Sequence, residues 1–220
     1  MSKDLLISIG FRHMENDLIG RDRERALLRE VLFAPEPASA VLTGPAGIGK
    51  TILADAILAE AAASGREILR AAGSLCSAAT PFAALAAIFP APAGDPAGSV
   101  EHLQAALAYL GEEAASRDLL LFVDDVHLLD DASLSLVEHL IRLGPAPLLV
   151  ALDSAAIARM SHWWTDRHAL RIELFPFDRS QTTAFISRHA ASADPMQIER
   201  LWWLSQGIPG RLEVLAKVLA

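Results

Sequence analysis

The chain has 220 residues, 52% of them hydrophobic, and a net charge of −8. That is enough apolar material for a substantial core, in runs too short or too interrupted to span a bilayer, and the acidic balance argues against this chain alone gripping DNA. One cysteine, Cys76, excludes an internal disulfide and a cysteine-rich metal site; with no secretion signal at Met1-Ser2-Lys3-Asp4, a cytoplasmic location is expected.

Residues 1–18 read as a short lead-in. Ile19-Gly20-Arg21-Asp22 then opens a helix over residues 23–32, which stops ahead of Pro35 and Pro37. Residues 38–43 form a short apolar strand, and residues 52–60 a helix with apolar positions every three to four residues. Between them lies Gly44-Pro45-Ala46-Gly47-Ile48-Gly49-Lys50-Thr51, a full match to G-x-x-x-x-G-K-[ST]. Glycines let the backbone approach an oxyanion without a Cβ in the way, and the loop amides converge into an anion nest at the start of the helix, Ile52 included. The nucleotide expected is ATP or ADP: Lys50 sets a point charge against the β-phosphate and, in ATP, the γ-phosphate, and the Thr51 hydroxyl is a ligand for the accompanying magnesium.

Gly65 ends that helix, and residues 67–71 read as a second strand. Thr80-Pro81 is a helix-start signal, predicting a helix over residues 82–89. A Pro-, Ala- and Gly-rich surface loop follows at 90–98, then a long helix near 99–116. Leu119-Leu120-Leu121-Phe122-Val123 is a continuous apolar run, as expected of a strand buried on both faces of a parallel sheet. Asp124 and Asp125 end it at the sheet edge that carries the phosphate loop. One carboxylate there can hold a magnesium water and its neighbour can orient or deprotonate an attacking water. Asp124 takes the first role and Asp125 the second by analogy.

Residues 131–143 read as a helix, 148–152 as a fourth strand and 170–174 as a fifth. After Pro176 only helices follow, starting at Asp178 with Gln181, at Asp194-Pro195 and at Pro209. The expectation is an α/β domain with a five-stranded parallel sheet over residues 1–176 and a small helical subdomain over 177–220. Seventy-four positions separate Lys50 from Asp124, with a whole strand–helix unit between them, which suggests an extra strand inserted between the loop strand and the acid strand.

Val123-Asp124-Asp125-Val126-His127-Leu128-Leu129-Asp130 resembles the acid-strand motif of STAND ATPase domains, a branch related to AAA+ proteins, as found in large LuxR-type (MalT-like) transcriptional regulators. Three further segments match that family in order. Ile19-Gly20-Arg21-Asp22-Arg23-Glu24 looks like its N-terminal box near the adenine. Cys76 to Phe89 looks like the segment after its second strand. Gln206-Gly207-Ile208-Pro209 looks like its G-x-P motif, whose proline packs near the base. The resemblance implies a three-layer P-loop NTPase of the additional-strand type with a helical lid, a slow ATPase, and a switch that works through self-association or a protein partner.

The match has departures. Relatives often carry an arginine that senses the γ-phosphate at the end of the fourth strand; Asp153-Ser154 stands there, and Arg159 is only loosely placed to replace it. Arg211 either supplies a cation from the start of the last helix, as the second sensor of AAA+ proteins does, or is a solvated first-turn arginine. The family's winged-helix module, repeats and DNA-reading helices have no counterpart in this sequence, which reads as an excised module or a short homologue. Two other functions stay open: a catalytically degenerate nucleotide-binding interaction module, and an AAA+ helper ATPase acting on nucleic acid. His127 reads as a phosphate or water contact or as packing beside the sheet. Trp163-Trp164 reads as a partner patch or a loop covering, Trp202-Trp203 as helical core, and Cys76 as a small buried apolar residue.

Overall fold

A computed structural model describes residues 18–76, 80–86, 88–89, 100–160, 169–189 and 194–219. The lead-in over 1–17, the loop over 90–98 and Trp163-Trp164 lie outside the described residues. In chain order the elements are α1 (Asp22–Leu32), β1 (Ser39–Gly44), α2 (Lys50–Ala63), β2 (Glu67–Ala72), α3 (Val100–Ser116), β3 (Leu119–Asp124), α4 (Asp131–Leu143), β4 (Leu148–Asp153), β5 (Ala169–Glu173), α5 (Arg179–His189), α6 (Pro195–Ser205) and α7 (Pro209–Leu219).

The five strands form one parallel sheet in the order β2-β3-β4-β1-β5. A strand does lie between the loop strand and the acid strand. It is β4, however, the strand that follows both in sequence, whereas β2, which separates them along the chain, lies at the edge. The reason shows in composition: β1 and β3 are buried throughout and β4 nearly so, while β2 is mostly exposed or half-buried. Charged residues shield its flank, with Arg117 on Glu67 at 2.9 Å and Arg70 on Asp55 at 2.5 Å.

Alternation along the strands divides the apolar residues between two layers. Leu42, Phe122, Leu149 and Ala151 pack toward Leu28 and Leu32 of α1 and Leu53 and Ile57 of α2. Val41, Leu121, Val123 and Val150 pack toward Leu110 of α3 and Leu136, Val137 and Leu140 of α4. The result is a three-layer α/β P-loop NTPase fold. Asp130, the last residue of the acid motif, caps α4: its carboxylate accepts from the Ser133 N–H at 2.9 Å and the Ser133 hydroxyl at 2.6 Å.

The helix expected over residues 82–89 does not form. Phe82 takes a left-handed backbone (φ 59°) and only a 3-10 turn, Ala83–Leu85, follows. The local signal at Thr80-Pro81 yields to tertiary packing, because this irregular path buries Leu85, Ile88 and Phe89 in the core beside α3 and α4. Cys76, expected to be buried, is exposed.

The last three helices pack on one another around a core of their own, formed by Phe177, Phe185, Ile186, Leu201, Leu212 and Ala216. Ile19 from the N-terminal box joins it. A capping box of Asp178 with Gln181 starts α5 as its sequence predicts, and α6, expected to start at Asp194-Pro195, also has one, Asp194 with Gln197. Trp202 donates its indole N–H to the Phe177 carbonyl at 3.0 Å, but Trp203 is 68% exposed and belongs to no core.

Candidate functional site

The parallel sheet brings the ends of β1, β3 and β4 to one edge, and the residues there are the polar ones of otherwise apolar strands. After β1 the chain turns through Gly49, whose φ of 97° only glycine adopts without strain, directly into α2. That turn leaves the first amides of α2 without helical partners and aimed at the loop's interior. Lys50 is buried, and its ammonium donates to the Gly44 carbonyl at 2.9 Å and the Pro45 carbonyl at 3.2 Å. Burial holds its pKa below the ordinary lysine value, against the opposing pull of Asp153, Asp125 and Asp124.

The acid strand meets the loop directly. The Thr51 hydroxyl donates to Asp124 Oδ2 at 2.8 Å, and Asp124 Oδ1 accepts from the Asp125 N–H at 3.0 Å. Asp125 itself sits at φ 44°, ψ 46°, a conformation that Asp tolerates better than most residues, and this turns its side chain into the cavity. Magnesium asks for one or two protein oxygens and takes the rest of its octahedron from phosphates and water. The Thr51 hydroxyl and Asp124 carboxylate, already within 2.8 Å of each other beside the loop, fit that demand.

Asp153 is the acid that stands where the sequence pattern asks for an arginine. In the β1–β4 register it lies opposite Gly44, so the interposed strand delivers it to the loop's flank. Its carboxylate accepts from the Ala155 N–H at 2.8 Å and exerts the largest electrostatic pull on Lys50. The side chain of Arg159 lies outside the described residues.

These groups wall a cavity of about 420 Å³. Ala46, Gly47, Gly49, Lys50 and Thr51 form its floor, with Asp125, His127 and Asp153 on one side. The opposite wall comes from the C-terminal helices: Phe185, Pro209, Gly210 and Glu213. His127 Nδ1 is buried and has no hydrogen-bond partner among the described residues. A smaller, mainly apolar cavity of about 130 Å³ adjoins it, walled by Ile19, Ile48, Ile52, Phe177 and Pro209 among others. Such an annex suits a flat heteroaromatic ring.

The N-terminal box contributes unevenly. Ile19 lines the annex, whereas Gly20 lines neither cavity; its carbonyl accepts from Gln181 Nε2 at 3.2 Å. Arg21 lines the annex but spends its guanidinium on protein. It donates to the carbonyls of Ile48 (3.2 Å) and Phe175 (2.9 Å), pairs with Glu24 at 3.5 Å, and lies 5.1 Å over the Phe177 ring. It therefore ties the phosphate loop to the segment entering the C-terminal helices.

Of the two readings of Arg211, a cation offered from α7 or a solvated first-turn arginine, the structure has the exposed one. Arg211 bonds Gln206 at 3.1 Å, is exposed and does not line the cavity. Helix phase explains this: Pro209 and Glu213 lie four apart on the cavity face, and a residue two positions after Pro209 projects from the other side. What reaches the loop from α7 is backbone. The Gly210 N–H donates to the Gly47 carbonyl at 2.9 Å.

The sequence model of the AAA ATPase domain family matches residues 17–151, more than half of the chain. No curated protein matches it. Among solved structures, the ORC1 protein of Aeropyrum pernix in complex with DNA superposes with a TM-score of 0.60 at 18% identity, over 93% of this chain and 58% of that one. Two point mutants of Thermotoga maritima RuvB are also similar. One has a TM-score of 0.56 at 19% identity, over 92% of this chain and 62% of that one. The other gives 0.57 at 20%, over 92% and 63%. The chain thus spans about three-fifths of the solved proteins it resembles, and at these identities they speak for fold alone. The chain belongs to the AAA ATPase domain family.

Proposed function

Taking the chain as an AAA ATPase domain, we propose that it is a switch ATPase module of a signalling or transcription-regulatory protein of the STAND type. It binds Mg-ATP or Mg-ADP between the sheet and a helical lid formed by residues 177–220. The observation that carries the reading is the direct bond from the lid to the phosphate loop, Gly210 N–H to Gly47 O at 2.9 Å. Because that carbonyl belongs to the loop that would cradle the phosphates, nucleotide binding and lid position share one piece of backbone.

In this reading the loop amides and Lys50 bind the phosphates, the annex beside Ile19 and Pro209 takes the base, and Arg21 holds loop and lid in register. Thr51 and Asp124 would hold magnesium, which would supply charge neutralisation to the phosphates. Asp125 orients the attacking water and accepts its proton. Turnover by the isolated chain is slow, since no arginine lines the larger cavity among the described residues, and self-association would supply one. The net charge of −8 sets the chain apart from a DNA-gripping role, so its macromolecular partner is a second copy or another protein.

Thermal melting tests the binding. Mg-ATP at about 100 times its dissociation constant should add roughly 2.7 kcal/mol of stability, and Lys50→Ala should abolish that gain. No shift with either ATP or ADP would sink the proposal. Asp125→Asn should keep the shift and lose turnover; normal turnover would remove Asp125 from the water-activating role. A second reading, a nucleotide-binding interaction module without catalysis, draws on the outward turn of Arg211. ADP that copurifies with the chain, with no turnover even at high protein concentration, would favour it.

A further inference from the structure

The two cavities share a wall made of Gly49, Ile52, Phe185, Pro209 and Glu213. Four of these present only backbone or hydrocarbon; Glu213 alone presents a charged side chain. We propose that Glu213 reads the sugar: its carboxylate accepts hydrogen bonds from the ribose hydroxyls and makes the site selective for ribonucleotides over deoxyribonucleotides. This rests on the nucleotide-binding reading above.

The position follows from connectivity. A nucleotide with its phosphates on the loop and its base in the apolar annex must pass its sugar across the boundary between the two. Ribose brings two hydroxyl donors to that boundary, at C2′ and C3′. An ionised carboxylate is acceptor-only, and its bonds to hydroxyls are charge-assisted. Glu213 lies one helical turn after Pro209, so the proline that walls the annex and the acid that meets the sugar share one face of α7.

The acid is also prepared for the task. One turn further on, Lys217 donates to Glu213 Oε1 at 2.7 Å. That bond and the ammonium charge hold the carboxyl below the usual carboxylate range, with His189, itself on the wall of the annex, adding in the same direction. The carboxylate is therefore ionised and fixed at neutral pH, with Oε2 left to accept. The side chain is 48% exposed, so water competes for it and the discrimination sits at the low end for a bond to a charged group.

A carboxylate near a triphosphate also repels it, so absolute affinity is the wrong readout and the ratio between nucleotides is the right one. Dissociation constants for Mg-ATP, Mg-2′-deoxy-ATP and Mg-3′-deoxy-ATP should be measured by titration calorimetry on the wild-type chain, Glu213→Gln and Glu213→Ala. The wild type should prefer ATP over at least one deoxy form by about tenfold. Glu213→Ala should bring that ratio to within about twofold of unity, with Glu213→Gln in between, since an amide oxygen still accepts but without charge. Equal binding of all three by the wild type, or a ratio that survives in Glu213→Ala, overturns the role of Glu213 and leaves the switch reading standing. Failure of all three to bind the wild type overturns both.

Discussion

The two walls of the larger cavity are built on different principles. On the sheet side the phosphate loop is one continuous run of eight residues, and its acids stand at the ends of buried parallel strands whose register is fixed by core packing. On the helical side almost every tie is long in sequence. Arg21 meets the Phe175 carbonyl 154 positions away, and the Gly20 carbonyl meets Gln181 161 positions away. In the proposed reading the first wall carries the chemistry, and the sheet makes it rigid. The second, in the same reading, carries coupling, and a few bonds, from the Arg21 and Gln181 side chains and the Gly210 N–H, hold it against the first.

The largest difference should appear in paired glycine substitutions. Gly207→Ala would set a Cβ 2.3 Å from the Phe177 carbonyl at a φ of +70°, beside the bond in which Phe177 N–H donates to the Gly207 carbonyl at 2.7 Å. Strain and clash together should cost about 3 kcal/mol in urea unfolding. Gly49→Ala on the sheet side also has positive φ (+97°), but nothing lies within 4 Å of the added Cβ. It should cost strain alone, about 1–2 kcal/mol, and fall more heavily on nucleotide affinity than on stability. Equal losses of stability would mean that the two walls are not held differently.

A smaller effect separates buried from exposed arginines. Arg21→Met leaves the buried Ile48 carbonyl and the part-buried Phe175 carbonyl without their donor, at about 2 kcal/mol. Arg21→Lys should not rescue it, because a lone ammonium cannot serve both carbonyls, as Nη2 does, while a second nitrogen pairs with Glu24 and the guanidinium plane lies over the Phe177 ring. Arg117→Ala, which loses an exposed pair with Glu67 at the sheet edge, should cost under about 1 kcal/mol. If Arg21→Met unfolds at the same urea concentration as wild type, Arg21 is not the tie between loop and lid.

The same contrast decides what is legible in the sequence. Lys50, Thr51, Asp124 and Asp125 can be read because strand, loop and acid each carry a local pattern. In the structure the Thr51 hydroxyl donates to Asp124 Oδ2 at 2.8 Å, so loop and acid strand meet. Asp153 is visible in the sequence but reads only as a lost arginine: the strand order, with β4 between β1 and β3, is what shows that its position abuts the loop. Arg21 reads as a nucleotide contact because nothing local reveals that two distant carbonyls claim its guanidinium. Arg211 draws notice for its charge, whereas the phase of α7, set by Leu212 and Ala216 packing inward, turns Glu213 to the cavity. Residues 82–89 depart from a helix for a related reason, since local capping chemistry carries no information on the core position waiting for Leu85.

The finest test of the sheet wall concerns the sign of one effect. Burial holds the Lys50 pKa below its ordinary value, so the folded chain binds that proton less tightly than the unfolded chain does. At neutral pH the lysine is charged in both states, and its charge therefore costs folding free energy. Lys50→Met, similar in length and uncharged, should melt slightly above wild type without nucleotide. As pH rises through the lowered folded value, the folded wild type releases its proton first and the cost shrinks. It is gone above the ordinary lysine value, about 10.4, so the two melting curves should converge over that window. With Mg-ATP near saturation the order should reverse, because only the wild type offers the phosphates a cation. A Lys50→Met chain that melts at or below wild type at neutral pH without nucleotide would show that the bonds from Lys50 to the Gly44 and Pro45 carbonyls outweigh the burial of its charge. The phosphate wall would then be held partly by its own lysine, and would depend on side-chain bonds as the lid wall depends on Arg21.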